Sequence, residues 1–184
     1  MQIFGRFRRE KPAILAARRL YDAIVRQART PLFHTRFGVA DSIDGRFDLL
    51  VLHLYLVLDR LRHEGEAGNA IGTALTNLAF DAFEEALRDL GVTDQGMARR
   101  IKKMANAFYG RIDAYVSAGG NETDLAPALL RNIYRGDAVR SAESTALARY
   151  VAEAQKRLMA GEAKAALLQG EVDFPPVPEF SHTP

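Results

Sequence analysis

The densest apolar stretch in the chain is DGRFDLLVLHLYLVLDRLR, residues 44–62, whose run over 49–58 is broken only by His53. At 100° per residue Phe47, Val51, Leu54 and Leu58 share one face of a helix, while Leu49, Leu52 and Leu56 point the other way. A helix that is apolar all round in a soluble protein is packed on several sides, so the run predicts the central helix of a bundle. It is too short to span a bilayer, which takes about 20 apolar residues. Asp48, Asp59, Arg60 and Arg62 also close it at both ends.

The flanking pattern is helical throughout. Pro12 opens a segment to about residue 29 in which Ile14, Tyr21, Ile24 and Val25 line one face, and Thr30-Pro31 stops it. The next tract, PLFHTRFGVADSIDGRF, reads as a long irregular connection with Phe33 and Phe37 folding inward. Asp41, Ser42 and Asp44 are candidate caps for the apolar helix that follows. Gly65, Gly68 and Gly72 loosen the start of a third helix, which runs to Leu90 and ends at Gly91.

Thr93 is placed to cap the most regular segment, DQGMARRIKKMANAFYGRIDAYV, in which Met97, Ile101, Met104, Phe108, Ile112 and Tyr115 form one core-facing stripe. A shorter helix is expected over about 125–134, ended by Gly136, then a last long helix over about 142–159 and a brief one over 163–168. Pro175, Pro176 and Pro178 hold the chain extended past Phe174. The pattern predicts an all-α fold, a single-domain helical bundle around a central apolar helix. Residues 1–11 form a basic aromatic arm, 12–174 the helical domain and 175–184 a proline-rich extended tail.

A length of 184 residues suits one domain able to bury a sizeable core. Charge is nearly balanced, 25 Lys and Arg against 23 Asp and Glu, so the total says little about partners. The absence of cysteine removes disulfides, thiolate metal sites and thiol nucleophiles together. The histidines are His34, His53, His63 and His182, and no Glu stands three residues before His34, His53 or His63, the spacing of bundle di-metal sites. His53 and His63 are separated by roughly 15 Å of helical rise, too far to share an ion. No nucleophile elbow and no glycine-rich phosphate loop is present. No catalytic, cofactor or metal constellation follows from the residues. His53 itself fits two readings: a buried, hydrogen-bonded core histidine, or the centre of an enzyme or ligand-binding site.

Local charge is more informative. Residues 95–111 carry five basic side chains and no acidic one, whereas 64–94 carry seven acidic and one basic. Arg99, Lys102 and Lys103 lie opposite the apolar stripe and Arg100 and Arg111 flank it; together they are the candidate partner-binding surface. A merely solvated face, or pairing with Glu84, Glu85 and Asp89 on the preceding helix, accounts for the same pattern. A ribosomal RNA contact through this basic helix is a further reading, although no aromatic platform exists to read bases, in RNA or in DNA, sequence-specifically. In the opening MQIFGRFRREK, Phe4, Arg6, Phe7, Arg8, Arg9 and Lys11 combine aromatic and cationic groups suited to an anionic membrane surface.

Taken in order, FDLLVLHLYLVLDRLRHEG, GVTDQGMARRIKKMANAFYGRIDAY, LAPALLRNIYR, LARYVAEAQ and LLQGEVDFPP resemble the ubiquinol-cytochrome c chaperones, assembly factors of the respiratory bc1 complex. The similarity runs from about Leu20 to Pro176, and the short arm ahead of it resembles a compact bacterial member. The resemblance implies a non-catalytic chaperone without cofactors whose client is cytochrome b, the haem-carrying membrane subunit. It implies a place in the bacterial cytoplasm, peripheral at the inner membrane, or in the mitochondrial matrix of a eukaryote. Mitochondrial members work beside the ribosome with a small partner protein, which adds those two partners to the expectation.

Overall fold

The computed structural model describes residues 11–178. The chain forms α1 (Pro12–Ala28), α2 (Leu32–Thr35), α3 (Ile43–Leu61), α4 (Gly65–Asp89), α5 (Asp94–Ser117) and α6 (Glu122–Asn132). A 3-10 turn (Ala138–Arg140), α7 (Ser141–Met159) and α8 (Ala163–Leu168) complete it, with no strand among the described residues. The all-α single-domain expectation is met. The arm residues Phe4, Arg6, Phe7, Arg8 and Arg9 lie outside the described residues, as do the last six positions of the tail. Lys11 sits at the N-cap position of α1.

Helix α3 starts where its sequence supplies a cap: the Ser42 hydroxyl accepts from the Gly45 N–H at 3.1 Å. Gly45 is fixed by close approach, because a Cβ there would run into the Ala40 carbonyl oxygen of the entering loop. Thirteen of the nineteen α3 residues are buried, on every side of the helix. It packs against α1, α4, α5 and α7. Each fully buried Leu or Val along it contributes about 1.5–3 kcal/mol relative to exposure. At the far end Gly68 lets α4 turn back tightly, since a Cβ there would meet the Leu61 carbonyl. That glycine serves packing as well as loosening the helix start.

Three local expectations shift. The connection before α3 contains α2, whose Phe33 is buried as expected and lies edge-on to His53 and Tyr150, each at 5.3 Å between centroids. On α1 the buried face centres on Ala16, Ala17, Leu20 and Ile24, leaving Ile14, Tyr21 and Val25 half-buried at its edges. Small alanines allow α1 to lie close on α3 and α4, and a face that rich in alanine is easily misplaced when only large apolar residues are counted. Thr93 stands at the N-cap position of α5, but its side chain makes no capping hydrogen bond.

The stripe on α5 is the most instructive. Met97, Phe108 and Tyr115 are buried, while Ile101, Met104 and Ile112 are only half-buried. The helix therefore covers the core incompletely, and a groove opens beside it.

Candidate functional site

Buried polar side chains lie at three places along α3: around His53, around Asp48, and at its end, where Asp59 pairs with Arg62 and Arg60 donates to the Leu158 carbonyl at 2.7 Å. The first centres on His53, which is fully buried. Its Nδ1 lies 2.7 Å from the Leu49 carbonyl one turn earlier. A carbonyl only accepts, so Nδ1 carries the proton, and Nε2 accepts from the Tyr150 hydroxyl at 2.9 Å. Gln27 on α1 donates both to Tyr150 at 2.9 Å and to the Pro175 carbonyl at 3.1 Å. Phe174 closes the ring edge-on at 5.3 Å. Burial pushes the imidazole down to about 4, so it stays neutral, and burial raises the Tyr150 phenol, which stays a donor. Both ring nitrogens are used. The histidine fastens α3 to α1, α7 and the extended segment after α8, and no lone pair or proton remains for a substrate.

The second region surrounds Asp48, five residues earlier and on another side of the helix. Its carboxylate is fully buried and held by two guanidiniums: Arg111 of α5 at 2.7 Å and Arg135, past the end of α6, also at 2.7 Å. Burial holds the carboxyl above its ordinary value, and the two arginines offset only part of that rise. Arg111 also donates to the Ala107 carbonyl at 3.0 Å and lies 5.4 Å from the Phe47 ring centroid. Arg135 has a left-handed backbone with φ 58°, a conformation that disfavours any residue with a Cβ. An ion pair to a buried carboxylate is what that strained position holds in place.

Above this clamp lies a groove of about 710 Å³, bounded by the start of α3, the end of α4 and the middle of α5. Its floor is apolar, from Phe47, Phe83, Leu87 and Met104. At its lips Ile43 and Leu90 are 65% and 56% exposed, high values for such side chains. Arg100 and Lys103 stand on the α5 side, exposed, and neither forms an ion pair with another described residue. The acidic wall of α4 does not supply one: Glu84 pairs with Arg88 on its own helix at 2.6 Å.

The structure thus divides the basic cluster. Arg100, Lys103 and Arg111 share the groove face of α5. At 100° per residue Arg99 lies about a quarter turn to one side of that face and Lys102 nearly opposite it, and both are exposed. Asp48 and Arg135 belong to the same region although no sequence signal singled them out. Among the described residues no group of His, Asp and Glu is arranged to hold a metal ion. No described helix is long and apolar enough to cross a membrane.

Comparison with known proteins adds the following. Residues 35–174 match the profile of the family described as ubiquinol-cytochrome C chaperone. The chain is 25% identical over 166 residues to the ubiquinol-cytochrome c reductase complex assembly factor 1 of Mus musculus, and likewise 25% to that of Homo sapiens. It covers 56% of each of those two proteins, so it spans little more than half their length, while 90% of this chain is matched. The Xenopus laevis counterpart is 24% identical, with 83% of its length covered. Among solved structures, the crystal structure of the Cbp3 homolog from Brucella abortus superposes with a TM-score of 0.79 at 35% identity, over 88% of this chain and 90% of that one.

Proposed function

The chain belongs to the ubiquinol-cytochrome c chaperone family, and from that premise we propose that it is a non-catalytic assembly factor of the bc1 complex whose client is the cytochrome b subunit. The observation that carries the reading is the groove beside α5, where a recessed apolar floor with exposed apolar lips at Ile43 and Leu90 adjoins Arg100 and Lys103, which no other described residue neutralises. A chaperone that holds a membrane subunit before assembly must cover apolar surface reversibly, and an exposed apolar groove does so where a finished core does not. The relatives named as assembly factors of the ubiquinol-cytochrome c reductase complex support the same class of function. The paired ring nitrogens of His53 speak against an enzyme built on that residue.

On this reading the five basic residues of α5 divide their labour. Arg100, Lys103 and Arg111 face the client, while Arg99 and Lys102 stand outside the groove. The arm over residues 1–11 draws the protein to the anionic cytoplasmic face of the membrane in which the client is inserted, each basic residue near such a surface contributing about 1 kcal/mol. Crosslinking in intact cells followed by identification of the captured proteins tests the function. Cytochrome b among the captured proteins is the expected outcome; a captured set without any bc1 subunit overturns the reading.

A further inference from the structure

We propose that the groove between α3, α4 and α5 seats one amphipathic helix of about three turns, whose carboxylates flank an apolar stripe. The inference deepens the chaperone reading by naming the chemistry of what is held, and it rests on that reading only for the identity of the partner.

The groove-facing cations of α5, Arg100, Lys103 and Arg111, form a row along one side. From Arg100 to Arg111 the helix rises by about 16 Å, which is the length of three turns. Arg111 and Arg135 share the single carboxylate of Asp48, so the floor keeps a surplus positive charge even after that pairing. The other carboxylate on the lining is Asp44, exposed in the first turn of α3. Four basic side chains thus face two acidic ones. A complementary partner brings negative charge at spacings of three or four residues, in register with Arg100 and Lys103.

The shape selects among anionic partners. A bilayer is flat and does not reach the floor formed by Phe83 and Leu87, both buried below the lips. A nucleic acid would cover Ile43 and Leu90 with phosphates and gain nothing from them. The ridge of side chains on a helix fits a concave apolar groove with charged edges, the mode by which amphipathic helices are usually taken up. Surface ion pairs contribute little by themselves, so the apolar stripe supplies most of the affinity and the cations fix register and choice of partner.

The test uses the full chain with Leu90 replaced by the photocrosslinker p-benzoylphenylalanine, and a second chain with the same replacement at Val139, which is 84% exposed and does not line the groove. Both are irradiated in intact cells and the crosslinked peptides are sequenced. The expected adduct from position 90 is a peptide with carboxylates at three- or four-residue spacing beside an apolar stripe. Arg100→Glu with Lys103→Glu lowers its yield about tenfold while the melting curve stays in place. Lipid or nucleic-acid adducts, a second copy of this chain, a peptide without that pattern, or no adduct above the Val139 control overturn the proposal. A patterned peptide from a protein outside the bc1 complex supports the groove and contradicts the chaperone reading. A bc1 subunit captured from position 139 and not from position 90 does the reverse.

Discussion

His53 and Asp48 are five residues apart on one helix, both fully buried and polar, yet their surroundings differ in kind. Around His53 the hydrogen bonds run from Leu49 through the imidazole to Tyr150, Gln27 and Pro175, and each ring nitrogen has its partner. Around Asp48 the buried carboxylate is matched by more positive charge than it neutralises, and the excess faces an open apolar groove. A buried polar group with all its partners present serves stability and specificity of packing. A surface that combines uncovered apolar area with uncompensated charge is incomplete, and incompleteness marks where something else binds.

The sharpest break of this contrast is Asp48→Ala. It leaves two guanidiniums around an empty site, one of them, Arg111, only 15% exposed. Removing one partner of a buried ion pair costs about 3–5 kcal/mol, and the half-exposed Arg135 escapes to water, so the loss belongs at the lower end. Chemical denaturation reads it directly. A loss below about 1 kcal/mol would mean that Asp48 is not a structural anchor of the groove.

Acid sharpens the other side. The His53 imidazole, pushed down to about 4 by burial, binds a proton less readily folded than unfolded. As pH falls from the ordinary imidazole value of about 6.5 towards 4, the unfolded chain gains a proton that the folded chain refuses, and stability drops. The full effect is roughly 3 kcal/mol, complete once the pH is below the folded value. A denaturation series over that window should show the limb in the native chain and a shallower one in His53→Gln. Equal limbs would show that His53 is not neutral and enclosed.

His53→Gln itself, measured at pH 8, should cost about 1–3 kcal/mol, because Tyr150 and the Leu49 carbonyl lose well-placed partners. Client capture by the protein that remains folded should be unchanged. Normal stability with lost capture would move function back to the histidine.

How much of this was legible in the sequence follows from range. Helix α3 was readable because its apolar run and its Ser42 cap are local, and α5 because its stripe repeats at helical spacing over about five turns. The four residues of α2 are too few to show a period, and α1 buries alanines, which leave little mark in a pattern of large apolar residues. The His53 site depends on Tyr150, 97 positions away, so the residue alone fitted two readings. Asp48 looked like a charge that closes an apolar run, because the arginines that bury it come from α5 and from beyond α6. The opposite signs of α4 and α5 suggested pairing between the helices; in the fold Glu84 is satisfied within its own helix, Arg111 pairs with Asp48 of α3, and Arg100 and Lys103 form no ion pair with another described residue.

A smaller effect tests the strained end of the clamp. Arg135→Gly removes one ion pair from Asp48 but relaxes a left-handed backbone, two opposed contributions of about 1 kcal/mol each. The melting temperature should hardly move. A clear gain in stability would show that the strain at Arg135 is retained for binding, and a large loss that both guanidiniums are required to keep Asp48 buried.

The most direct measurement compares two double charge reversals in capture of cytochrome b, with melting curves recorded alongside. Arg100→Glu with Lys103→Glu alters the groove face; Arg99→Glu with Lys102→Glu alters the rest of the same helix surface. All four side chains are exposed, so neither pair should shift stability by more than about 0.5 kcal/mol. The groove pair should lose capture about tenfold and the outer pair retain it within about twofold. Equal losses from the two pairs, or a loss confined to Arg99 and Lys102, would contradict the assignment of the groove as the surface that holds the client.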